Sequence, residues 1–403
     1  MSWLDAVRRA LHSLSGDATS QGSTPMTNYA GRWITTFGPM ELTQQGDRVE
    51  GSYDFRGIHC TLSGQLQDGR LVFTYHEPTI SGEGWFEQRR SGRFAGQWRQ
   101  QGETERWFPW EGSRPFDGIW DSSFGPLRLL QDGDHVIGSY EGVGHSTVEG
   151  RVEGDRLTFR YQEPKARGEG WFELAQGGEL FHGQWRPEGG PQWGEWQGRR
   201  MHAMPGHVWL VVLESYWQRS LAERDFSFGS MLAAIFARLP HVGTRQRFFD
   251  DADSLERWLR DITYLPEPVA IVLAAHGSEE GLTVRGEPVD PRSIVRSLRL
   301  ADNVLLLHFS ACLMLHEGKS GELARTLQRE LGIPISGYNT SVDWAASAFI
   351  EFHLLDMVLG RGISPEEAGQ QLERLVRYSG DQAPPGSPYR AAGFRMLLPA
   401  SGG

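Results

Sequence analysis

The chain has 403 residues, a formal net charge of −11 and two cysteines, Cys60 and Cys312, which fall in different regions. That length allows two or three domains. The acidic balance argues against nucleic-acid binding as the main task, and two distant cysteines exclude a disulfide framework. No run approaches the 18 or so apolar residues of a spanning helix, so no stable membrane insertion is expected. No secretory signal is visible, and a cytoplasmic location is the expectation.

Residues 1–28 begin with an amphipathic helix candidate over 2–15, with Trp3, Leu4, Val7, Leu11 and Leu14 on one face. A Gly/Ser/Thr-rich linker follows to residue 28. Residues 29–114 and 115–203 are two copies of one repeat. Gly31-Arg-Trp33 returns as Gly118-Ile-Trp120, Gly51-Ser-Tyr53 as Gly138-Ser-Tyr140, and Gly96-Gln-Trp98 as Gly183-Gln-Trp185, each 87 residues on. Gly82-Glu-Gly-Trp-Phe-Glu87 returns as Gly168-Glu-Gly-Trp-Phe-Glu173. Alternating runs such as Arg70-Leu-Val-Phe-Thr-Tyr75, separated by turns such as Gln67-Asp-Gly69, give about eight short strands per copy. Such a meander is expected to close into a small antiparallel barrel filled by side chains. The Gly-X-Trp start resembles avidin- or lipocalin-type barrels in shape. The Trp residues suit packing, and also suit a stacking platform for a ligand or a regulatory partner. Cys60, matched to Thr147 in the second copy, reads as a small strand residue.

Residues 204–403 switch to α/β patterning. His207-Val-Trp-Leu-Val-Val-Leu213 is a buried first strand, 226–238 a helix, Thr244–Phe249 a second strand, and Asp253–Ile262 a capped helix. Val269-Ala-Ile-Val-Leu-Ala-Ala-His-Gly277 and Asn303-Val-Leu-Leu-Leu-His-Phe-Ser-Ala-Cys312 are apolar runs that end in reactive side chains. Between them, Asp290 as N-cap and Pro291 at the first position open a crossover helix. Helices over 321–331, 345–359 and 364–378, a strand at 332–337, a Pro/Gly-rich loop at 380–392 and a last strand at Phe394–Pro399 complete the pattern. The fold class expected is multidomain: two all-β repeats, then a mostly parallel sheet with helices on both faces and a central order 2-1-3-4.

Parallel strands place their carboxyl ends at one edge, so His276 and Cys312 are expected side by side. An imidazole beside a thiol can take its proton, and the thiolate is the nucleophile. The N–H groups of Gly277 and Cys312 would form an oxyanion hole. His308 is expected inside its strand as a structural residue. His316 lies in the loop after Cys312. Ser278 and Ser310 lack the Gly-X-Ser-X-Gly elbow of an α/β-hydrolase.

Strand-His-Gly followed by strand-Ser-Ala-Cys resembles the caspase-like (clan CD) cysteine peptidases, with Leu307-His-Phe-Ser-Ala-Cys312 closest to the bacterial CHAT type. The likeness covers 207–398. It departs from the caspase Gln-Ala-Cys-Arg-Gly, because Ser310 replaces the Gln and Leu313-Met314 follow Cys312. The resemblance implies a cysteine endopeptidase that needs no cofactor or metal and cuts a specific protein substrate in a bacterial defence or regulated-death pathway. It also implies a substrate pocket at Ser310, Glu214-Ser215 and 339–344, where Glu214 and Asp343 would hold Arg or Lys. The alternative is a ligand- or partner-binding β-repeat protein carrying a non-catalytic scaffold.

Overall fold

The computed structural model describes residues 28–89, 92–218, 221–223, 226–342, 344–382 and 393–399. The expected helix over 2–15, the linker through residue 27, most of the loop at 380–392 and Asp343 lie outside the described residues. The chain divides into two units, Met1–Met201 and His202–Gly403.

The first unit contains two closed eight-stranded barrels. Strands β1 (Gly31–Thr35), β2 (Gly38–Gln45), β3 (Arg48–Phe55), β4 (Ile58–Gln67), β5 (Arg70–His76), β6 (Ser81–Arg89), β7 (Arg93–Gln100) and β8 (Phe108–Ser113) pair antiparallel in sequence order. The pairing of β1 with β8 shuts the ring. Strands β9 (Gly118–Ser122), β10 (Gly125–Asp132), β11 (His135–Tyr140), β12 (Ser146–Glu153), β13 (Arg156–Gln162), β14 (Arg167–Ala175), β15 (Leu180–Pro187) and β16 (Gly194–Met201) repeat the topology, closed by β16 on β9. Alternation decides which residues turn inward: along β5, Leu71, Phe73 and Tyr75 are buried and their neighbours are exposed.

The inward residues fill each barrel with rings. Phe86 stacks on Phe94 at 4.1 Å, and Trp110 meets Phe73 edge-on at 5.6 Å. In the second barrel Phe172 lies 4.2 Å from Phe181, and Trp196 meets Phe159 at 5.8 Å. The repeated strand glycines make room for them. A Cβ at Gly84 would come within 2.5 Å of the Phe73 ring, and one at Gly170 within 2.5 Å of Phe159. The pairing also corrects the match made for Cys60. Cys60 stands opposite Tyr53, while Ser146 stands opposite Tyr140, and both are buried. One residue fewer separates Tyr140 from Ser146, so Ser146 and not Thr147 is the counterpart.

The second unit is built on a six-stranded sheet. Strands β17 (Val208–Ser215), β18 (Val242–Phe249), β19 (Val269–Ala274), β23 (Val304–Ser310), β24 (Ile335–Tyr338) and β25 (Phe394–Leu397) lie in the order β18-β17-β19-β23-β24-β25. The first five are parallel and β25 runs antiparallel to β24. Helices α1 (Phe228–Phe236), α2 (Ala252–Ile262), α3 (Pro291–Leu298), α4 (Lys319–Leu331), α5 (Trp344–Leu355) and α6 (Pro365–Gln382) cover both faces. Leu210 and Val212 point into one apolar layer with Phe228, Leu232 and Ile350. Val211 and Leu213 point into the other with Leu255, Leu259 and Ile294. Burial of both faces explains why β17, β19 and β23 are largely continuous apolar runs, while the edge strand β18 carries Thr244, Arg245, Gln246 and Arg247.

Two local features differ from the sequence expectation. The second helix starts before Asp253, because Asp251 is its N-cap: the Ser254 N–H donates to Asp251 Oδ1 at 2.7 Å, and the Asp251 N–H donates back to Ser254 Oγ at 3.2 Å. Between β19 and α3 the chain forms a three-stranded antiparallel sheet of β20 (His276–Ser278), β21 (Gly281–Val284) and β22 (Glu287–Pro288). Its second turn carries Arg285 and Gly286 at positive φ, 51° and 85°, a signal for a two-residue hairpin loop. No helix among the described residues is long and apolar enough to cross a membrane.

Candidate active site

Parallel register brings the strand ends together. Glu214 on β17 pairs with Ala274 on β19, and Ala274 pairs with Ser310 on β23. Two residues beyond Ala274 is His276, and two beyond Ser310 is Cys312. The Ala275 N–H reaches the Ser310 carbonyl at 3.4 Å, which continues the ladder past the strands. At Gly277 the approach is closest. A Cβ there would lie 2.0 Å from the Cys312 carbonyl oxygen and 3.0 Å from its nitrogen, so a side chain cannot be accommodated without moving one of the two segments.

The half-buried Cys312 sits in a fixed turn. The Val342 N–H points at its sulfur at 3.5 Å, and the thiol lies 3.6 Å from the Val342 carbonyl. The backbone N–H of Cys312 makes no hydrogen bond among the described residues, so it is open to an acceptor. Leu313 follows at φ 61°, a left-handed conformation uncommon for leucine. It is held there by its N–H on the Thr340 carbonyl at 3.1 Å and by Ser320 Oγ donating to its own carbonyl at 2.7 Å.

The exposed His276 ring rests edge-on against Trp217, with centroids 5.0 Å apart. The His276 and Cys312 side chains do not hydrogen-bond each other. Trp217 is anchored in turn, since its Nε1 donates to Glu214 Oε1 at 2.7 Å. Sequence reasoning missed Trp217. The only available signal was an aromatic three residues past an acidic strand end, in the loop at the carboxyl edge.

Glu214 departs from the acidic pocket expected for it. Its carboxylate is fully buried. Oε1 also accepts the Phe228 N–H at 2.6 Å. Oε2 accepts Ser227 Oγ at 2.8 Å, the Gly229 N–H at 3.0 Å and Gln246 Nε2 at 3.0 Å. The negative charge thus sits at the N-terminus of α1, where unpaired backbone N–H groups and the helix dipole favour it. With both oxygens engaged, it has no capacity left for a substrate cation. Ser215 and Ser310 lie at the same edge and are buried, at 4% and 9% exposure. Asp343 lies outside the described residues.

His308 is buried within β23. Its Nδ1 lies 2.8 Å from Ser336 Oγ and its Nε2 3.2 Å from Glu351. The His316 N–H donates to the Leu313 carbonyl at 3.1 Å, which keeps it in the turn after Cys312. Cys60 is 1% exposed, 3.5 Å from the Ile58 carbonyl, and burial pushes its thiol pKa up. No group of three or more His, Cys, Asp or Glu among the described residues is arranged to hold a metal ion.

No protein-family model matches the chain, and no curated protein matches it. Among solved structures, the agglutinin of Burkholderia oklahomensis is similar over 43% of this chain and 84% of its own length, at 13% identity and a TM-score of 0.13. A likeness at that level extends to neither fold nor activity.

Proposed function

We propose that the second unit is a caspase-like cysteine endopeptidase that cuts a specific protein. Cys312 attacks the scissile carbonyl carbon, and its proton passes to His276. The oxyanion is held by the Cys312 N–H, which makes no other bond among the described residues, and by that of Gly277. His276 returns the proton to the leaving amine, and water then releases the acyl group from sulfur. The imidazole turns from Trp217 toward the thiol when substrate arrives, as catalytic hydrogen bonds often tighten only in the complex. The observation that supports the reading is the close approach of Gly277 to the Cys312 backbone, at the sheet edge where the segments carrying His276 and Cys312 meet. Because both Glu214 oxygens are engaged, any acidic hold on a substrate Arg or Lys would fall to Asp343, the other acid proposed for the pocket.

A second reading has one observation in its favour: the imidazole rests on Trp217 and not on the thiol. In that reading the domain is a non-catalytic scaffold and the β-repeats do the binding. Profiling new protein N-termini after adding purified protein to a cell extract separates the two. The peptidase reading expects a small set of cleavages that vanishes in Cys312→Ala. No new termini, or the same termini with Cys312→Ala, would favour the scaffold.

A further inference from the structure

The second barrel carries on its outer face something the first lacks. Strand pairing aligns Glu149 with Arg160, Arg160 with Glu169, and Glu169 with Arg186, so a row of alternating charge crosses β12 to β15. The row lines a cleft of about 580 Å³, walled by the Pro187–Gly190 turn. In the first barrel the same row is Ser63, Thr74, Glu83 and Arg99. The Glu–Arg end is therefore shared and the Glu149–Arg160 end is not. Arg186 Nε donates to Glu169 at 2.8 Å, and the Arg186 guanidinium lies over the Trp193 ring at 4.5 Å; Trp193 as a whole is 40% exposed. Arg160 makes no hydrogen bond or ion pair among the described residues.

We propose that this cleft binds a neutral oligosaccharide of two or three sugar rings. Three arginines and three glutamates line it, so it carries no net charge; Glu149 meets His135 at 3.2 Å, Glu169 is paired with Arg186 and Glu188 with Arg167, so the lining is largely self-neutralised. A row that alternates donor and acceptor every ~4.8 Å suits hydroxyl groups, each of which both donates and accepts. The free guanidinium of Arg160 offers a planar fork to a pair of neighbouring hydroxyls. Trp193 is not in the lining itself but packs on Arg186, which is, and as a part-exposed ring beside the cleft it would offer an apolar surface to the C–H face of a sugar ring. An extended peptide is disfavoured, because strand addition needs an open edge and this barrel is closed. The cleft volume lies in the usual range for small-molecule sites, but its lining is too polar for an apolar ligand.

The inference stands apart from the chemistry of Cys312. The full chain is applied to a printed array of neutral and anionic oligosaccharides, and the strongest binder is titrated by calorimetry. Glu149→Ser with Arg160→Thr gives this row the residues that the first barrel already folds with, so an unchanged melting temperature is expected. Neutral oligosaccharide binding is expected, weakened at least tenfold in the double variant and in Trp193→Ala. Binding only of sulfated or phosphorylated sugars, an array with no neutral binder, or unchanged affinity in both variants would overturn the proposal.

Discussion

The Cβ that Gly277 lacks would occupy the space of the Cys312 carbonyl, so this position sets how closely His276 approaches the thiol. Gly277→Ala is expected to force the two segments apart. Overpacking of this kind costs roughly 1–3 kcal/mol, read as a lower urea midpoint, and the peptide cleavage proposed above should fall at least tenfold. A variant that keeps full activity would mean that the contact is incidental. Glu214 allows a sharper distinction. As a carboxylate that satisfies the Phe228 and Gly229 N–H groups, its loss strands buried donors, each costing about 1–3 kcal/mol. Glu214→Ala should therefore lower the melting temperature and loosen Trp217. A variant of undiminished stability that changes only the residue preferred before the cut would restore the substrate-acid role.

The elements that carry these residues are fixed by local chemistry that propensity alone does not reveal. Three aspartates, Asp250, Asp251 and Asp253, compete to cap α2. Asp251 is the cap because Ser254 then falls where it can reciprocate, while Glu256 is drawn to Arg260 and Arg296. Asp251→Ala should lower the denaturation midpoint, as loss of a cap does, whereas Asp253→Ala should lower it much less. Chemical denaturation of the two variants checks the assignment, and equal losses would refute it. In the barrels the element-level device is the facing pair of ring and glycine, repeated as Phe73 with Gly84 and Phe159 with Gly170. The repeat was legible for that reason: glycines and tryptophans that must recur at fixed strand positions are the residues a sequence comparison catches first.

Across the whole chain, what was legible is what depends on periodicity. The two β-repeats, the parallel sheet and its 2-1-3-4 centre follow from alternating and continuous apolar runs, and they appear as closed barrels and as β18-β17-β19-β23. What was not legible depends on contacts between residues distant in sequence. Glu214 meets Gln246 only because β17 and β18 are neighbours. The β20–β22 sheet has strands of three, four and two residues, too short for any period to show. The Glu149–Arg186 row is assembled from four separate strands. The same separation makes the two cysteines a built-in comparison, one closed inside a barrel and one half-buried at a sheet edge.

A peptidyl acyloxymethyl ketone, which alkylates a thiolate only when its peptide occupies the cleft beside it, tests the proposed pairing of Cys312 with His276. The labelled residue is identified by mass spectrometry in the intact protein. Label is expected on Cys312, none on Cys60, with a loss of at least tenfold in labelling rate in His276→Ala. Label on Cys60, or Cys312 labelled equally fast without His276, would contradict it.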